Sequence, residues 1–506
     1  MYLTVANGTL TNSSFINNKA GSMGGCIRFS SGAVNCAVSG CNFISNTANA
    51  GGVIYCYFSN GTISNCNYIN NHANQGDNIY WYWTVEDFLN NYGQINDYDY
   101  LLIRNGVGTP SKTIVLNKKG ITISSEGRVT FDARGGNLHF EVTGDNVLIE
   151  KITFRNFNFT GYGGVILWNG THGILKNCNF INNTGHDGGA IDWRGANGTL
   201  SDSRFINNTA IWGGALSWNG ANGMLTDSSF INNVADSGGG IVWNGANGAL
   251  TGCNLTGNTA IKGGGGGVLW YYSGTNGHLS NSIFINNNAN TNGGGIVWNG
   301  ANGILTGSIF TSNAANGNGG AINWLWGNNG LLSNSIFINN NANTSGGGIY
   351  LSANNCTLSS SNFTGNTAKS SGGGVFWAWV TGGILTSSSF TGNTAKRNGG
   401  GVEWHGTKST LSSSTFINNT GTLGGAVFWE GNNSTLANCN FNNNKWIKTN
   451  GIHASNNLNI ESGKGIVGIT YGNNATLLGI SIVVLNNETY YYPPNTNINF
   501  KKYVFI

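Results

Sequence analysis

Proline and charged side chains are both scarce in this sequence. Only 3 of its 506 residues are proline, and only 8% are Asp, Glu, Lys or Arg. The formal net charge of +4 is spread along the chain, whereas a nucleic-acid-binding protein concentrates Lys and Arg so that counterions are released. No segment reaches the roughly 18 apolar residues of a membrane-spanning helix. The sequence therefore predicts neither a nucleic-acid partner nor a membrane span.

Helix-length amphipathic segments are also missing. Gly and Asn interrupt the chain every few residues, and the segments between them have the length of strands. The chain nevertheless contains 16 Trp, 18 Tyr and 24 Phe, which is enough apolar surface to exclude a disordered protein. Together with 81 Gly, this composition predicts short strands joined by tight turns.

One motif recurs along the chain. It reads Phe-Ile-Asn-Asn, then Thr-Ala, then Gly-Gly followed by a small residue, Ile or Val, a variable residue and Trp, and then Asn-Gly. Its aromatic residue returns about every 26 residues from Phe154 to Phe441, and a shorter run contains Phe15, Phe43 and Tyr68. A fixed period of this length without helical segments predicts an all-β solenoid. In this fold, a single-stranded parallel β-helix, each turn pairs with the next about 4.8 Å away.

The repeat places an asparagine three residues after the aromatic residue in nearly every turn. Asn tolerates left-handed backbone, and its side-chain amide can bond to the Asn of the next turn. We therefore expect a structural ladder at one corner of the solenoid. Its members are Asn183, Asn208, Asn233, Asn258, Asn287, Asn313, Asn340, Asn366, Asn393 and Asn419.

The tryptophan of each repeat has two interpretations. Strand alternation puts it on the same side as the apolar residue two positions earlier, which favours a stacked column in the core. An exposed column of Trp could instead stack on sugars. The variable residue before the Trp, for example Asp192 or Glu403, should face outward, because acids are among its occupants.

The nine cysteines form no metal-binding pattern. Five of them stand two residues before the aromatic residue, in a column otherwise occupied by Ser, so they are expected to be small buried side chains. No Cys-x-x-Cys or Cys/His spacing is present, and the sequence predicts neither a metal nor a cofactor. A disulfide between Cys41 and Cys66, in neighbouring turns, stays an open alternative.

The repeat divides the sequence into four segments. Residues 1–75 read as the final turns of a first β-helix, and residues 121–445 as the main one. Between them, residues 76–120 lose the period. They contain Thr84-Val85-Glu86-Asp87, which is typical of a helix N-terminus, so a linker or cap with a short helix is expected. Residues 446–506 are predicted to be a C-terminal β cap or a truncated β-sandwich.

Acidic side chains cluster in one region of the main repeat. Asp187, Asp192, Asp202 and Asp227 follow one another closely there, and Asp202 and Asp227 share a column. Enzymes that cleave polysaccharides need clustered carboxylates, so these four are candidate binding residues. The simpler interpretation is that Asp replaces Ser or Asn at solvated positions. No residue is assigned a catalytic role.

The paired Phe-x-x-Asn and Gly-Gly-Ala-Ile elements resemble the repeat of the polymorphic outer-membrane proteins of chlamydiae. The Asn- and Thr-rich form here, with Val129-Thr130-Phe131-Asp132 and a Tyr490-Tyr491-Tyr492-Pro493-Pro494 tail, is more similar to adhesin-like surface proteins of methanogenic archaea. The resemblance covers residues 1–75 and 121–445. It implies a right-handed β-helix, export and a role in adhesion. The chlamydial proteins also carry a C-terminal membrane domain that this sequence does not match, so a cell-surface location is expected rather than the outer membrane.

Three functions are compatible with these features. The first is an extracellular adhesin-like scaffold, displayed on the cell surface, that binds glycans or proteins of other cells without catalysis. The alternatives are a carbohydrate-active β-helix enzyme, meaning a polysaccharide lyase or hydrolase, and a purely structural cell-surface spacer. Near-uniform polar columns favour the non-catalytic scaffold, because an active site should interrupt the repeat. The first residues lie inside a repeat and carry no signal peptide, so we expect the sequence to be a fragment of an exported protein.

Overall fold

The computed structural model describes residues 1–57, 61–431 and 434–446, and beyond them the backbone of a series of strands. The chain divides into two compact units, Met1–Thr209 and Ala210–Ile506. Both are built from turns of a right-handed parallel β-helix with about 26 residues per turn, which confirms the predicted fold class. No helix among the described residues has the length and apolar character needed to cross a membrane.

The first three turns of the N-terminal unit contain four sets of parallel strands. Three of these sets end by residue 75. Their strands are Thr9–Thr11, Ala37–Ser39 and Thr62–Ser64; Ser14–Ile16, Asn42–Ile44 and Asn67–Ile69; and Thr47–Ala50 and His72–Gln75. The fourth set begins with Tyr2–Leu3, Ile27–Phe29 and Ile54–Cys56 and continues into the rest of the unit.

The segment in which the repeat is lost carries this fourth set of strands onward. Ile79–Trp83 pairs in parallel with Ile54–Cys56 on one side and with Tyr100–Gly108 on the other. Tyr100–Gly108 then pairs with Thr122–Asp132. Backbone pairing is therefore continuous through residues 76–120, for which the sequence predicts a linker or cap.

A short helix is inserted between two of these strands, in the segment where the sequence predicts one. It spans Val85–Asn91 and is followed by a 3-10 turn at Tyr92–Gln94. Thr84 and Asp87 form a capping box in which each side chain accepts the backbone N–H of the other. Burial of Phe88 attaches the helix to the unit, because its ring packs 5.4 Å from that of Phe131.

From Ile114 onward, the turns of the N-terminal unit contribute strands to two sheets. We call the sheet that carries the Phe column the Phe sheet, and the sheet that carries the Trp column the Trp sheet. The Phe-sheet strands of this unit are Thr122–Asp132, Leu148–Glu150, Ile152–Arg155, Ile174–Lys176, Asn179–Ile181, Thr199–Ser201 and Arg204–Ile206. Its Trp-sheet strands are Ile114–Leu116, Phe140–Val142, Ile166–Trp168 and Ile191–Trp193.

The second unit repeats this arrangement with a third sheet of short strands. Its Phe-sheet strands are Met224–Thr226, Ser229–Ile231, Ala249–Thr251, Asn254–Thr256, His278–Ser280, Ile283–Ile285, Ile304–Thr306, Ile309–Thr311, Leu331–Ser333, Ile336–Ile338, Thr357–Ser359, Asn362–Thr364, Ile384–Thr386, Ser389–Thr391, Thr410–Ser412, Thr415–Ile417 and Ser434–Asn442. Its Trp-sheet strands are Leu216–Trp218, Ile241–Trp243, Val268–Trp270, Ile296–Trp298, Ile322–Leu325, Ile349–Ser352, Val375–Trp377, Val402–Trp404 and Val427–Trp429. The third sheet contains Val234–Ser237, Thr259–Ala260, Asn288–Ala289, Ala314–Ala315, Asn341–Ala342, Thr367–Ala368, Thr394–Ala395, Thr420–Gly421 and Lys445–Trp446. One further strand, Thr209–Trp212, spans the division between the units.

Strand backbone alone is described beyond residue 446. The parallel strands that extend the Trp and Phe sheets are Ile452–Ala454, Leu458–Lys464, Ile469–Tyr471 and Thr476–Leu477. The antiparallel strands that follow are Ile482–Leu485, Glu488–Tyr491 and Ile498–Asn499. The predicted choice between a β cap and a truncated β-sandwich depends on residues outside those that the structure describes.

The Trp column lies in the core of both units, which confirms the interior interpretation of these positions. Its almost fully buried members are Trp168, Trp193, Trp218, Trp243, Trp270, Trp298, Trp324, Trp377, Trp404 and Trp429. Their rings stack between turns, for example with 4.5 Å between the centroids of Trp270 and Trp298. The Phe column stacks in the same way, with 4.6 Å between Phe337 and Phe363. These buried aromatic stacks form the centre of each turn.

The asparagine ladder runs beside the Phe column as a chain of buried amides. Asn340 shows the pattern: its Oδ1 accepts the backbone N–H and the Nδ2–H of Asn313, each at 3.0 Å. Its own Nδ2 donates to Phe310 O and to Asn366 Oδ1, each at 2.9 Å. Asn183 bonds to Asn208 in this way in the N-terminal unit. In the second unit the bonded series is Asn233, Asn258, Asn287, Asn313, Asn340, Asn366, Asn393, Asn419 and Asn444.

The left-handed backbone at this corner belongs to the residue before each ladder asparagine, which corrects the sequence prediction. Asn182, Asn232 and Asn339 have φ values of 55°, 53° and 53°, and their side chains are exposed. The two roles need different side-chain directions. The left-handed residue makes the corner and points outward, and the residue after it turns its amide into the protein.

The variable residue before each Trp faces away from the Trp column but is covered, unlike the solvent-facing position that the sequence suggests. Val242 and Val297 belong to an apolar cluster of their own, and Asp192 and Glu403 are buried. The Gly-rich loop before each strand folds over this column. A Cβ atom added at Gly238 would lie 2.5 Å from Val242 Cγ2, so only glycine leaves room for the covering loop.

All nine cysteines are free thiols, and all except the half-buried Cys66 are buried. The disulfide considered between Cys41 and Cys66 is therefore not formed. The cysteines of the Ser column behave as small interior side chains. Cys178 and Cys253, for instance, each donate a thiol hydrogen bond of 3.4 Å to the carbonyl oxygen two residues earlier.

Candidate functional site

Two clusters of polar and aromatic side chains lie on the outward side of the Trp sheet, one in each unit. In both clusters an acid stands immediately before the Trp of one strand, and a basic side chain stands immediately after it. The pairs are Asp192 with Arg194 and Glu403 with His405. Because side chains alternate along a strand, the acid and the base project to the same side while the Trp between them is buried.

The first cluster joins two of the four predicted binding residues. Arg194 Nε donates to the buried Asp192 Oδ2 at 2.8 Å, and its guanidinium lies 4.4 Å from the ring centroid of Tyr162. His186 meets the edge of Tyr162, and its Nδ1 lies 2.7 Å from Asp187 Oδ1. Each of these two aspartates therefore contacts a basic side chain within the cluster.

Asp202 and Asp227 occupy corners instead. Both are exposed, and their φ values of 51° and 48° are left-handed. In other turns the equivalent corner is made by Asn, for example Asn177 with φ 54° and Asn334 with φ 50°. Asp shares with Asn the ability to adopt this conformation, so these two residues fit the simpler interpretation of corner substitutions. The structure does not bring them into the cluster around Tyr162.

We call the second cluster the Trp379 site; it consists of Phe376, Trp379, Glu403, His405 and Glu430. Trp379 is 72% exposed, in contrast to the buried Trp column. Its ring stacks on His405, with 4.4 Å between the ring centroids and an angle of 28° between the planes. The ring of Phe376 also packs against His405, with 5.3 Å between the two ring centroids. One face of Trp379 is therefore held by the protein, and the other faces solvent.

His405 stands between two carboxylates. Its Nε2 lies 2.7 Å from Glu403 Oε1, and its Nδ1 lies 2.8 Å from Glu430 Oε2. His405 and Glu403 are buried, whereas the side chain of Glu430 is 39% exposed. Glu403 Oε2 is also buried and has no hydrogen-bond partner within the described residues. A buried carboxylate oxygen without a partner is costly, so the fold alone does not account for this arrangement.

The repeat is interrupted where the Trp379 site forms. In most turns the column Trp donates its indole N–H to the carbonyl of a following Gly, as Trp298 does to Gly300 at 3.0 Å. Three column tryptophans have no acceptor for this N–H among the residues that the structure describes: Trp377 and Trp404, in consecutive turns, and Trp168 in the N-terminal unit. In the two consecutive turns the missing bond coincides with the side chains of the Trp379 site, and local exceptions to a repeat are expected at functional positions.

The sequence interpretation placed Glu403 only as a variable outward residue and missed Trp379, His405 and Glu430. A signal was present one position later. Four of the column tryptophans are followed by Asn-Gly, whereas the three turns of this site have Ala-Trp, His-Gly and Glu-Gly at these positions. Comparing the residues after the Trp, turn by turn, would have placed these three turns among the six that depart from Asn-Gly.

The described residues contain no group of three or more His, Cys, Asp and Glu side chains that could hold a metal ion. What the Trp379 site offers is an exposed ring face beside carboxylate oxygens. That combination suits a ligand that has an apolar face and hydroxyl groups.

The match to one protein family supports the fold. Residues 104–259 match the family described as "Right handed beta helix region". No curated protein matches the chain. Among solved structures, a mannuronic acid specific polysaccharide family 6 lyase from human gut microbiota is similar at 10% identity and TM-score 0.39, covering 72% of this chain and 86% of its own. The tailspike protein of E. coli bacteriophage HK620 in complex with pentasaccharide is similar at 14% identity and TM-score 0.35, covering 90% and 74%. Likenesses at these values identify neither a function nor a ligand for this chain.

Proposed function

We propose that this chain is an adhesin-like repeat scaffold, displayed on the cell surface, that binds glycans without altering them. The observation that carries the proposal is Trp379, which stands exposed over His405 beside the carboxylates of Glu403 and Glu430. The C–H face of a sugar ring would stack on the free face of Trp379. The half-exposed Glu430 would accept hydrogen bonds from sugar hydroxyls.

The position of His405 favours binding over hydrolysis. Glycosidases that use two carboxyl groups leave a gap between them for the scissile bond and a water molecule. Here the imidazole fills that gap, because one ring nitrogen contacts Glu403 and the other contacts Glu430. The two carboxylates are therefore occupied in holding the ring that supports Trp379.

The test is binding of the full chain to a glycan array, followed by affinity measurements on the glycans that bind. Trp379→Ala should weaken binding about tenfold, because it removes the stacking surface and its buried area. Trp326→Ala is the matched control. Trp326 is 65% exposed and follows the column Trp at the same distance, but no pair of carboxylates from the described part of the chain flanks it.

Equal loss of affinity in both variants would show that any exposed indole serves and would remove the role of the Trp379 site. Absence of binding to any glycan would favour the structural spacer. Release of new reducing ends from a bound polysaccharide would favour the carbohydrate-active enzyme. Each of these outcomes contradicts the proposal.

A further inference from the structure

A separate cavity lies in the N-terminal unit, beside the start of the short helix. Its volume is about 670 Å³, and Thr84, Arg104, Asn105, Glu126, Gly127 and Arg128 line it. None of these residues belongs to the repeat motif or to the clusters on the Trp sheet. We call it the Arg104 cavity.

A β-bulge shapes the Arg104 cavity. The parallel pairing of Tyr100–Gly108 with Thr122–Asp132 slips, so that Arg104 pairs with Glu126 but Gly106 pairs with Val129. Two residues, one of them Arg128, therefore oppose a single residue of the neighbouring strand. Bulges of this kind re-aim side chains and are common next to binding sites.

The bulge places two arginines at the cavity without carboxylate partners. Neither Arg104 nor Arg128 makes an ion pair with a described residue. Arg104 Nε is buried and has no hydrogen-bond partner in the described part of the chain. Asn105 Oδ1 accepts the backbone N–H of Arg128 at 3.1 Å, which holds the bulge in place. A buried guanidinium N–H of this kind needs an acceptor, and the residues that the structure describes supply none.

The carboxylate at the cavity is already engaged. Glu126 accepts a hydrogen bond from the hydroxyl of Tyr82. This bond raises the pKa of Tyr82 to about 12, so the phenol keeps its proton and continues to donate. Arg104 lies over the Tyr82 ring at 5.3 Å, which fixes the direction of its guanidinium. The two arginines therefore leave the cavity with an excess of positive charge.

We propose that the Arg104 cavity binds the anionic group of an acidic glycan, the carboxylate of a uronic acid or the sulfate of a sulfated sugar. The guanidinium of Arg104, which lines the cavity, would donate to one oxyanion oxygen, and the exposed Arg128 would contribute a second positive charge. We infer the anionic group of this ligand from the two arginines alone. That the ligand is a saccharide rests on the proposed function.

Single-stranded nucleic acid is the other anionic polymer with this chemistry, and the geometry disfavours it. Proteins that bind single strands need open aromatic faces on which bases can stack. Tyr82 offers none: Tyr57 stacks on it with 4.6 Å between ring centroids, and Arg104 lies over the ring as well. An oxyanion on a sugar needs no open ring face.

The experiment measures binding of the full chain to three oligosaccharides of equal length, one uronic, one sulfated and one neutral, and to a single-stranded oligonucleotide. We expect at least one of the two acidic oligosaccharides to bind more than tenfold more tightly than the neutral one. Whether the uronic or the sulfated oligosaccharide binds more tightly then shows which oxyanion the cavity prefers. Arg104→Gln and Arg128→Gln should each remove most of this preference. Arg204→Gln, which changes an exposed arginine elsewhere in the same unit, should leave it intact.

The Trp379→Ala variant separates this inference from the proposed function. It should keep the preference for the acidic oligosaccharide while losing affinity for the neutral one. An acidic preference that survives in both Arg104→Gln and Arg128→Gln would overturn the inference. Oligonucleotide binding as tight as that of the acidic oligosaccharide, or loss of the preference in Arg204→Gln, would overturn it too.

Discussion

At the scale of single residues, burial makes the cysteines chemically inert. Burial raises the pKa of the Cys178, Cys253 and Cys439 thiols to about 12, so the reactive thiolate is almost absent at pH 8. We predict that iodoacetamide at pH 8 does not modify these three residues in the native protein and does so after denaturation, as read by mass spectrometry. Equal modification rates in the native and denatured chains would contradict the buried column.

The asparagine ladder is a second prediction at this scale. Asn340→Ala would leave Asn313 N–H and Phe310 C=O without partners in the interior. Each such group costs about 1–3 kcal/mol, so for the two together we expect a loss of roughly 2–6 kcal/mol in the free energy of unfolding, measured with urea. Asn339→Gly, at the exposed left-handed corner beside it, should be nearly neutral. A ladder variant as stable as this control would mean that the amides are dispensable.

Individual positions were predictable where the repeat constrains them. The Asn, Trp and Cys columns follow from strand alternation and from the size of the side chain that fits. The position of the left-handed backbone was assigned one residue too late, because both asparagines of the Asn-Asn pair are compatible with that conformation. The two asparagines differ in the direction of their side-chain amides, and the sequence alone does not specify that direction.

At the scale of elements, the Gly-Gly loop determines how each Trp-sheet strand is covered. Gly392 and Gly399 belong to one turn and have φ values of 64° and 60°. A Cβ atom at Gly392 would meet nothing within 4 Å, whereas one at Gly399 would lie 2.3 Å from Val402 O.

Replacing each of these two glycines with alanine therefore separates backbone strain from steric clash. Gly392→Ala should cost about 1–2 kcal/mol for the left-handed conformation alone. Gly399→Ala should cost clearly more, because the start of Val402–Trp404 must also move. Thermal unfolding followed by circular dichroism would measure both. Equal losses of stability in the two variants would show that the loop can move away from the strand without further cost.

The short helix and most strands were predictable from local sequence, because capping residues and alternation act over a few positions. Continuous pairing through Ile79–Trp83 and Tyr100–Gly108 was not. These strands have no periodic neighbours in the sequence, and their pairing depends on backbone bonds between distant segments. The bulge beside Arg104 was hidden for the same reason.

At the scale of the whole molecule, both proposed binding sites lie at departures from the repeat. A functional site should interrupt the repeat, and the candidates predicted from the sequence were the acidic residues Asp187, Asp192, Asp202 and Asp227. Two of these contact basic side chains, and two make corners. Among the described residues, the buried side-chain atoms without a hydrogen-bond partner include Oε2 of Glu403 and Nε of Arg104. The repeat makes the core positions predictable from the sequence, but it gives little information about the few turns that depart from it.

The most direct test of the account is to incubate the full chain with a polysaccharide that the array identifies, and to follow binding and product formation in the same mixture. Isothermal titration calorimetry would measure binding, and mass spectrometry would measure the length of the polysaccharide afterwards. The account predicts saturable binding that Trp379→Ala weakens about tenfold, with the polysaccharide recovered at its original length. Shortened products that accumulate with time would contradict it.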